Sequence, residues 1–150
     1  MCKFCYISLG IALISILSLI YQFQFNDQNL DPEDGRQSIQ LLPTESRHVL
    51  SEMRIFLETV QQIIQGITEN DMNVVKEAAR RAAVANQVDT PETLSKKLPL
   101  EFKKLGLDTH KKFAILALDA EQLEDPEHAL EQLADLMNNC TSCHASYRFN

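Results

Sequence analysis

The chain has 150 residues and a formal net charge of −7 at neutral pH. All 21 acidic residues but only 13 of the 14 basic ones lie beyond Phe25, a net of −8 there, which disfavours nucleic acid as a partner. Four Gly and five Pro argue against the many turns of an all-β fold, and the abundance of Ala, Leu, Glu, Gln and Lys favours helix.

Phe4 to Tyr21 holds no charge and is almost entirely apolar; Lys3 precedes it, and Asp27, Asp31, Glu33 and Asp34 follow. That pattern predicts an export segment with the N-terminus in the cytoplasm and the remainder outside. At about 18 residues, roughly 27 Å as a helix, it is just long enough to span a bilayer. No small-residue cleavage site follows in Ser15 to Phe23. The expectation over 1–25 is therefore an uncleaved signal-anchor, with a cleaved signal peptide as the alternative. Cys2 and Cys5 form a C-x-x-C, but Tyr6 follows it, and we read the pair as apolar filler. Residues 26–43 are polar and carry Pro32 and Gly35, which predicts a tether.

Four helical segments are predicted over 44–150. The first runs from Thr44, as N-cap after Pro43, to Ile67. Its stripe is Val49, Leu50, Met53, Phe56, Leu57, Val60, Ile63, Ile64 and Ile67, with the spacing of one buried helix face. The second spans about Asp71 to Asn86, with Asn70 or Asp71 as cap and a narrow face rich in alanine: Ala78, Ala79, Ala82 and Ala83. Gln87 to Leu98, with Pro91, reads as a loop. The third spans Pro99 to Ala120 and is expected to break or bend at Gly106. The fourth runs from Pro126, capped by Asp125, to Tyr147. Its apolar face is Leu130, Leu133, Ala134, Met137, Cys140, His144 and Tyr147. Lysines crowd the third segment and acids the following turn, which reads as solvated faces or as a dipolar surface that steers a partner.

That last helix contains Cys140-Thr141-Ser142-Cys143-His144, a C-x-x-C-H. The spacing is the attachment signature of a c-type haem. Two thiols add to two vinyl groups of one porphyrin edge, and the adjacent imidazole reaches the iron as proximal ligand. Cys140, Cys143 and His144 fall at i, i+3 and i+4 and so share one helix face. The competing readings are a dithiol redox pair and half of a zinc site. A redox pair expects a βαβ context, and zinc expects about two further ligands. Export supports the haem reading, because covalent attachment takes place outside the bacterial inner membrane.

A C-x-x-C-H on the last of four helices, followed by Tyr147 and Arg148, resembles the cytochrome c′ family and its low-spin relatives. The stretch Lys97 to Gly106, with His110 and Phe113, is similar to exported monohaem cytochromes of that type. The resemblance covers Thr44 to Arg148. It implies an all-α, antiparallel four-helix bundle with one covalent haem c on the C-terminal helix, His144 as proximal ligand and Arg148 near the proximal side. It also implies that the first helix faces the distal side. Met53 is then the expected sixth ligand, Leu50 the alternative distal residue, and His48 a runner-up; His110 and His128 are expected at the surface or as caps. Bundles of this type often dimerise through their first two helices, and the Ala78 to Ala83 face could serve either a dimer or the core.

Three functions from different classes follow. The first is a one-electron carrier on the periplasmic side of a bacterial inner membrane, anchored by its N-terminal helix and meeting a redox partner on a charged surface. The second is a five-coordinate binder or sensor of nitric oxide or carbon monoxide. The third is a helical interaction module without haem. No catalytic constellation is visible, and the expectation is that the protein is not an enzyme.

Overall fold

In the computed structural model, residues 3–26, 34–85 and 92–150 are described. Cys2, residues 27–33 of the expected tether, Asn86 at the end of the expected second helix, and Gln87 to Pro91 of the expected loop lie outside them. The chain divides into two compact units, Met1–Ser38 and Ile39–Asn150. Among the described residues there are six helices and one two-stranded sheet, so the fold is all-α.

The first unit contains α1 (Lys3–Asn26), which carries no acid in its first turn and no base in its last. Leu9, Ile11, Leu13, Ile14, Ile16, Leu17, Leu19 and Ile20 are all exposed along it. Among the described residues no helix is long and apolar enough to cross a membrane.

Four long helices dominate the second unit: α2 (Pro43–Thr68), α3 (Met72–Val84), α5 (Leu100–Gln122) and α6 (Pro126–Ser146). The start of α2 lies one residue before the expected one. Leu42 is the cap, Pro43 takes the first turn, and the Glu45 carboxylate accepts from the Leu42 N–H at 2.8 Å. Thr44 is therefore inside the helix rather than its cap. The α2–α3 connection is tight: the Asp71 N–H donates to the Gly66 carbonyl at 2.8 Å, and Asp71 Oδ1 accepts from Asn73 and Val74. Gly66 is required there, since a Cβ would lie 2.8 Å from Val75 Cγ2. Asp125 caps α6 as expected, accepting from the Glu127 and His128 N–H groups.

Two expectations fail locally. The loop read up to Leu98 contains a short helix, α4 (Glu92–Lys97), whose Leu94 is buried. The helix α5 continues through Gly106 without a break, because helical neighbours on both sides outweigh the cost of one glycine, about 1 kcal/mol. The chain then leaves α6 at Ser146 and enters β2 (Tyr147–Phe149), which pairs with β1 (Gln37–Ile39).

Pairwise contacts give the neighbours. The helix α3 packs on α2 and α5, and α6 packs on α5 and, least closely, on α2. Asp119 meets His128 while Lys112 meets Asp135, so α5 and α6 run antiparallel. One core joins these helices: Ile63, Val75, Ala78, Ala79, Ala82, Phe113, Leu116, Leu133 and Leu136 are its centre. A second cluster of Ile39, Leu41, Val49, Leu94 and Phe102 closes the end where the chain terminates. Tyr147 and Phe149 both stand edge-on to Phe102 there, at ring-centroid distances of 5.4 and 6.2 Å.

The buried face of α6 is rotated from the one expected. Ala129, Leu133, Leu136 and Asn139 are buried, whereas Leu130 and Met137 are about half exposed and Ala134 is exposed. An apolar residue on a helix reports that it tolerates burial, not that a neighbour exists to bury it.

A candidate cofactor cleft lined by α2, α5 and α6

An apolar cleft of about 460 Å³ is lined by α2, α5 and α6, within the range of small-molecule sites. Val49, Leu50, Met53, Phe56, Leu57 and Val60 line it from α2. Phe102, Leu105, Gly106 and Thr109 line it from α5, and Met137, Cys140, Cys143 and His144 from α6. The motif is thus in the last two turns of α6, on the wall facing the α2 stripe.

Cys140 and Cys143 are half-buried free thiols, and His144 is exposed. The two thiols join different cores: Cys140 packs against the main one and Cys143 against the terminal one, which Met53 also touches. Burial pushes both thiols up, and for Cys143 the neighbouring Cys140 adds to the effect. Redox-active and zinc-bound cysteines stand in surroundings that favour the thiolate. These surroundings do the opposite. Among the described residues no group of three or more Cys, His, Asp and Glu could hold a bare metal ion.

Of the residues singled out from sequence, Cys140, Cys143, His144 and Met53 come together on the cleft. Leu50 lines it as well, one turn before Met53. Arg148 is half-buried in β2 and is not among the cleft residues. His48 does not line the cleft either.

Three features escaped the sequence reading. The first is His110, which is buried rather than at the surface, and stacks edge-on to Phe56 at 5.2 Å. Its Nδ1–H donates to the Ala82 carbonyl at 3.0 Å and its Nε2–H to Glu52 Oε1 at 3.0 Å. Both partners only accept, so satisfying both requires the doubly protonated imidazolium. Burial is the largest single influence and lowers the pKa of His110, but the Glu52 carboxylate and the Ala82 carbonyl outweigh it and hold the group above its ordinary value. Glu52 lines the cleft, so the ion pair forms part of its wall.

The second feature is Asn139, buried beside Cys140. Its amide donates to Asp108 Oδ2 at 2.9 Å and to the Thr109 hydroxyl at 3.3 Å, pinning α6 to α5 just before the cysteines. The third is Gly106. A Cβ there would meet nothing within 4 Å, so no neighbour demands a glycine; its bare backbone faces the open cleft. A missing side chain on an apolar wall suits a flat ligand lying close to the helix. The donor set suits one kind in particular: two thiols and an imidazole on one wall, a thioether on the other, and apolar surface between.

Comparison with protein-family models, with curated proteins and with solved structures finds no match for this chain.

Proposed function

We propose that this protein is a monohaem c-type cytochrome that carries single electrons on the periplasmic side of a bacterial inner membrane. One observation carries the reading: Cys140, Cys143 and His144 of α6 and Met53 of α2 line the same apolar cleft, though nearly ninety positions separate Met53 from the motif. Cys140 and Cys143 would hold the haem through thioethers, and His144 and Met53 would ligate its iron. When bound, the haem supplies a one-electron iron couple, and a His/Met ligand pair favours its ferrous form. The side chains of Val49, Phe56, Leu105 and Phe102 exclude water, and Asn139 fixes the helix that bears the cysteines.

We read the four long helices as the antiparallel four-helix bundle of the cytochrome c′ type, and, from its sequence alone, the uncharged stretch Phe4 to Tyr21 as the membrane anchor. On this reading Arg148 supports the terminal cluster behind the proximal side. A redox partner docks on the charged surface, and the protein remains a carrier rather than an enzyme.

The matured protein should exceed the polypeptide mass by one haem and keep it through denaturing electrophoresis. Its ferric form should be low-spin and its ferrous form slow to bind carbon monoxide, because sulfur must first leave. An intact mass equal to the bare polypeptide, from cells competent for cytochrome c maturation, would overturn the reading.

A second reading has its own observation. Leu50 lines the cleft beside Met53, and with Leu50 over the iron the site is five-coordinate and open to nitric oxide or carbon monoxide. A high-spin ferric spectrum and rapid carbon monoxide binding would select it.

A further inference from the structure

The cleft is apolar, yet its lining includes two side chains of fixed opposite charge, Glu52 and Arg54, both on α2. They differ in their partners. The Glu52 carboxylate is 3.0 Å from the buried His110 ring, and that pair is neutral as a unit. Arg54 is exposed at the cleft and has no hydrogen-bond or ion-pair partner among the described residues. The α6 wall adds no acid, since the last carboxylate of that helix is Asp135, two residues before Met137, and it pairs outward with Lys112 at 2.7 Å. The cleft therefore presents one uncompensated cation beside a large apolar surface. Its complement is a flat apolar molecule with an anionic edge.

We propose that Arg54 is the carboxylate-pairing residue of the cleft and takes the propionate edge of a tetrapyrrole whose opposite, vinyl edge faces Cys140 and Cys143. The proposal rests on the haem reading above and extends it to a residue outside the motif. A carboxylate in an apolar cleft needs a cation or water, and the planar guanidinium fork matches it with two parallel hydrogen bonds. Position agrees: Arg54 is on the α2 wall, and the thiols are on the α6 wall. His110 has a part in this arrangement. Without it, the Glu52 carboxylate would stand bare on the same wall and repel the anionic edge.

The experiment separates the carboxylates from the macrocycle. The full chain carrying Cys140→Ala and Cys143→Ala, with its fold checked by circular dichroism, is titrated with ferric protoporphyrin and with the dimethyl ester of the same porphyrin. The free acid should bind about five- to tenfold more tightly, the range for a charge-assisted pair at a partly exposed site. Arg54→Gln should abolish that preference, and Arg54→Lys should restore part of it. Equal affinities in the parent, or a preference that survives Arg54→Gln, would overturn the role of Arg54 and leave the tetrapyrrole reading intact. Binding of neither porphyrin would overturn both. In the matured protein, where the cysteines are native and folding of the double variant is not at issue, Arg54→Gln should lower the midpoint potential because a cation near the haem edge is lost, and Arg54→Lys should bring it back. An unchanged potential would overturn the proposal.

Discussion

The two sides of the helical unit are built on opposite terms. Between α3 and α5 the contact is closed: Ala78, Ala79 and Ala82 have no exposed surface, and Phe113 and Leu116 fill the space opposite them. Small residues let the helix axes approach, and the large ones across the interface leave no void. Between α2 and α6 the side chains are larger but the contact is looser. Leu57 is 71 % exposed and Met137 is 41 % exposed, although both sit on the apolar stripes of their helices. The difference teaches that side-chain size decides how close two helices come, and the cleft is on the side where the facing residues are large.

The largest test of this contrast is a matched pair of truncations. Leu116→Ala on the closed side should cost about 2–5 kcal/mol in chemical denaturation, because the cavity has no route to collapse. Leu57→Ala on the open side should stay within about 0.5 kcal/mol. Similar costs for the two would mean that α2 and α6 close on each other in solution.

A second test concerns the polar tie across the interior, His110. Replacing it with Phe leaves the Ala82 carbonyl and the Glu52 carboxylate without their donor, and should cost about 1–3 kcal/mol. The sign of the pH effect follows from the raised pKa. The stabilisation from protonated His110 should be complete below its unfolded value of about 6.5 and be lost as pH rises through the higher folded value. The cost of His110→Phe should therefore shrink on going from mildly acidic to alkaline pH. A cost independent of pH would show that His110 is held neutral.

The smallest effect should come at Gly106, and it should be favourable. Gly106→Ala adds a methyl group where nothing lies within 4 Å and removes a mid-helix glycine, so thermal denaturation of the polypeptide without cofactor should show a gain of up to about 1 kcal/mol. If the cleft holds a haem as proposed, Gly106→Leu should instead fill it and lower the yield of haem-loaded protein. Full loading of Gly106→Leu would move the cofactor away from the α5 wall.

Much of this architecture was legible in the order of residues. Helix periodicity, the caps at Asp71 and Asp125, and the i, i+3, i+4 placement of Cys140, Cys143 and His144 are local properties, determined by backbone geometry within a few residues. The chemistry suggested by the motif is likewise local, because spacing alone decides which atoms can reach one porphyrin edge. Tertiary structure decided the rest. Which stripe of α6 is buried depends on where α2 and α5 stand, and so Leu130 is half exposed and Met137 lines the open cleft, while Asn139 is buried. Gly106 reads as a breaker until its neighbours hold the helix through it, and His110 reads as a surface residue until Glu52 and Ala82, from two other helices, supply its acceptors. Burial and ion pairing are relations between segments far apart in the chain, and no window of sequence contains both partners.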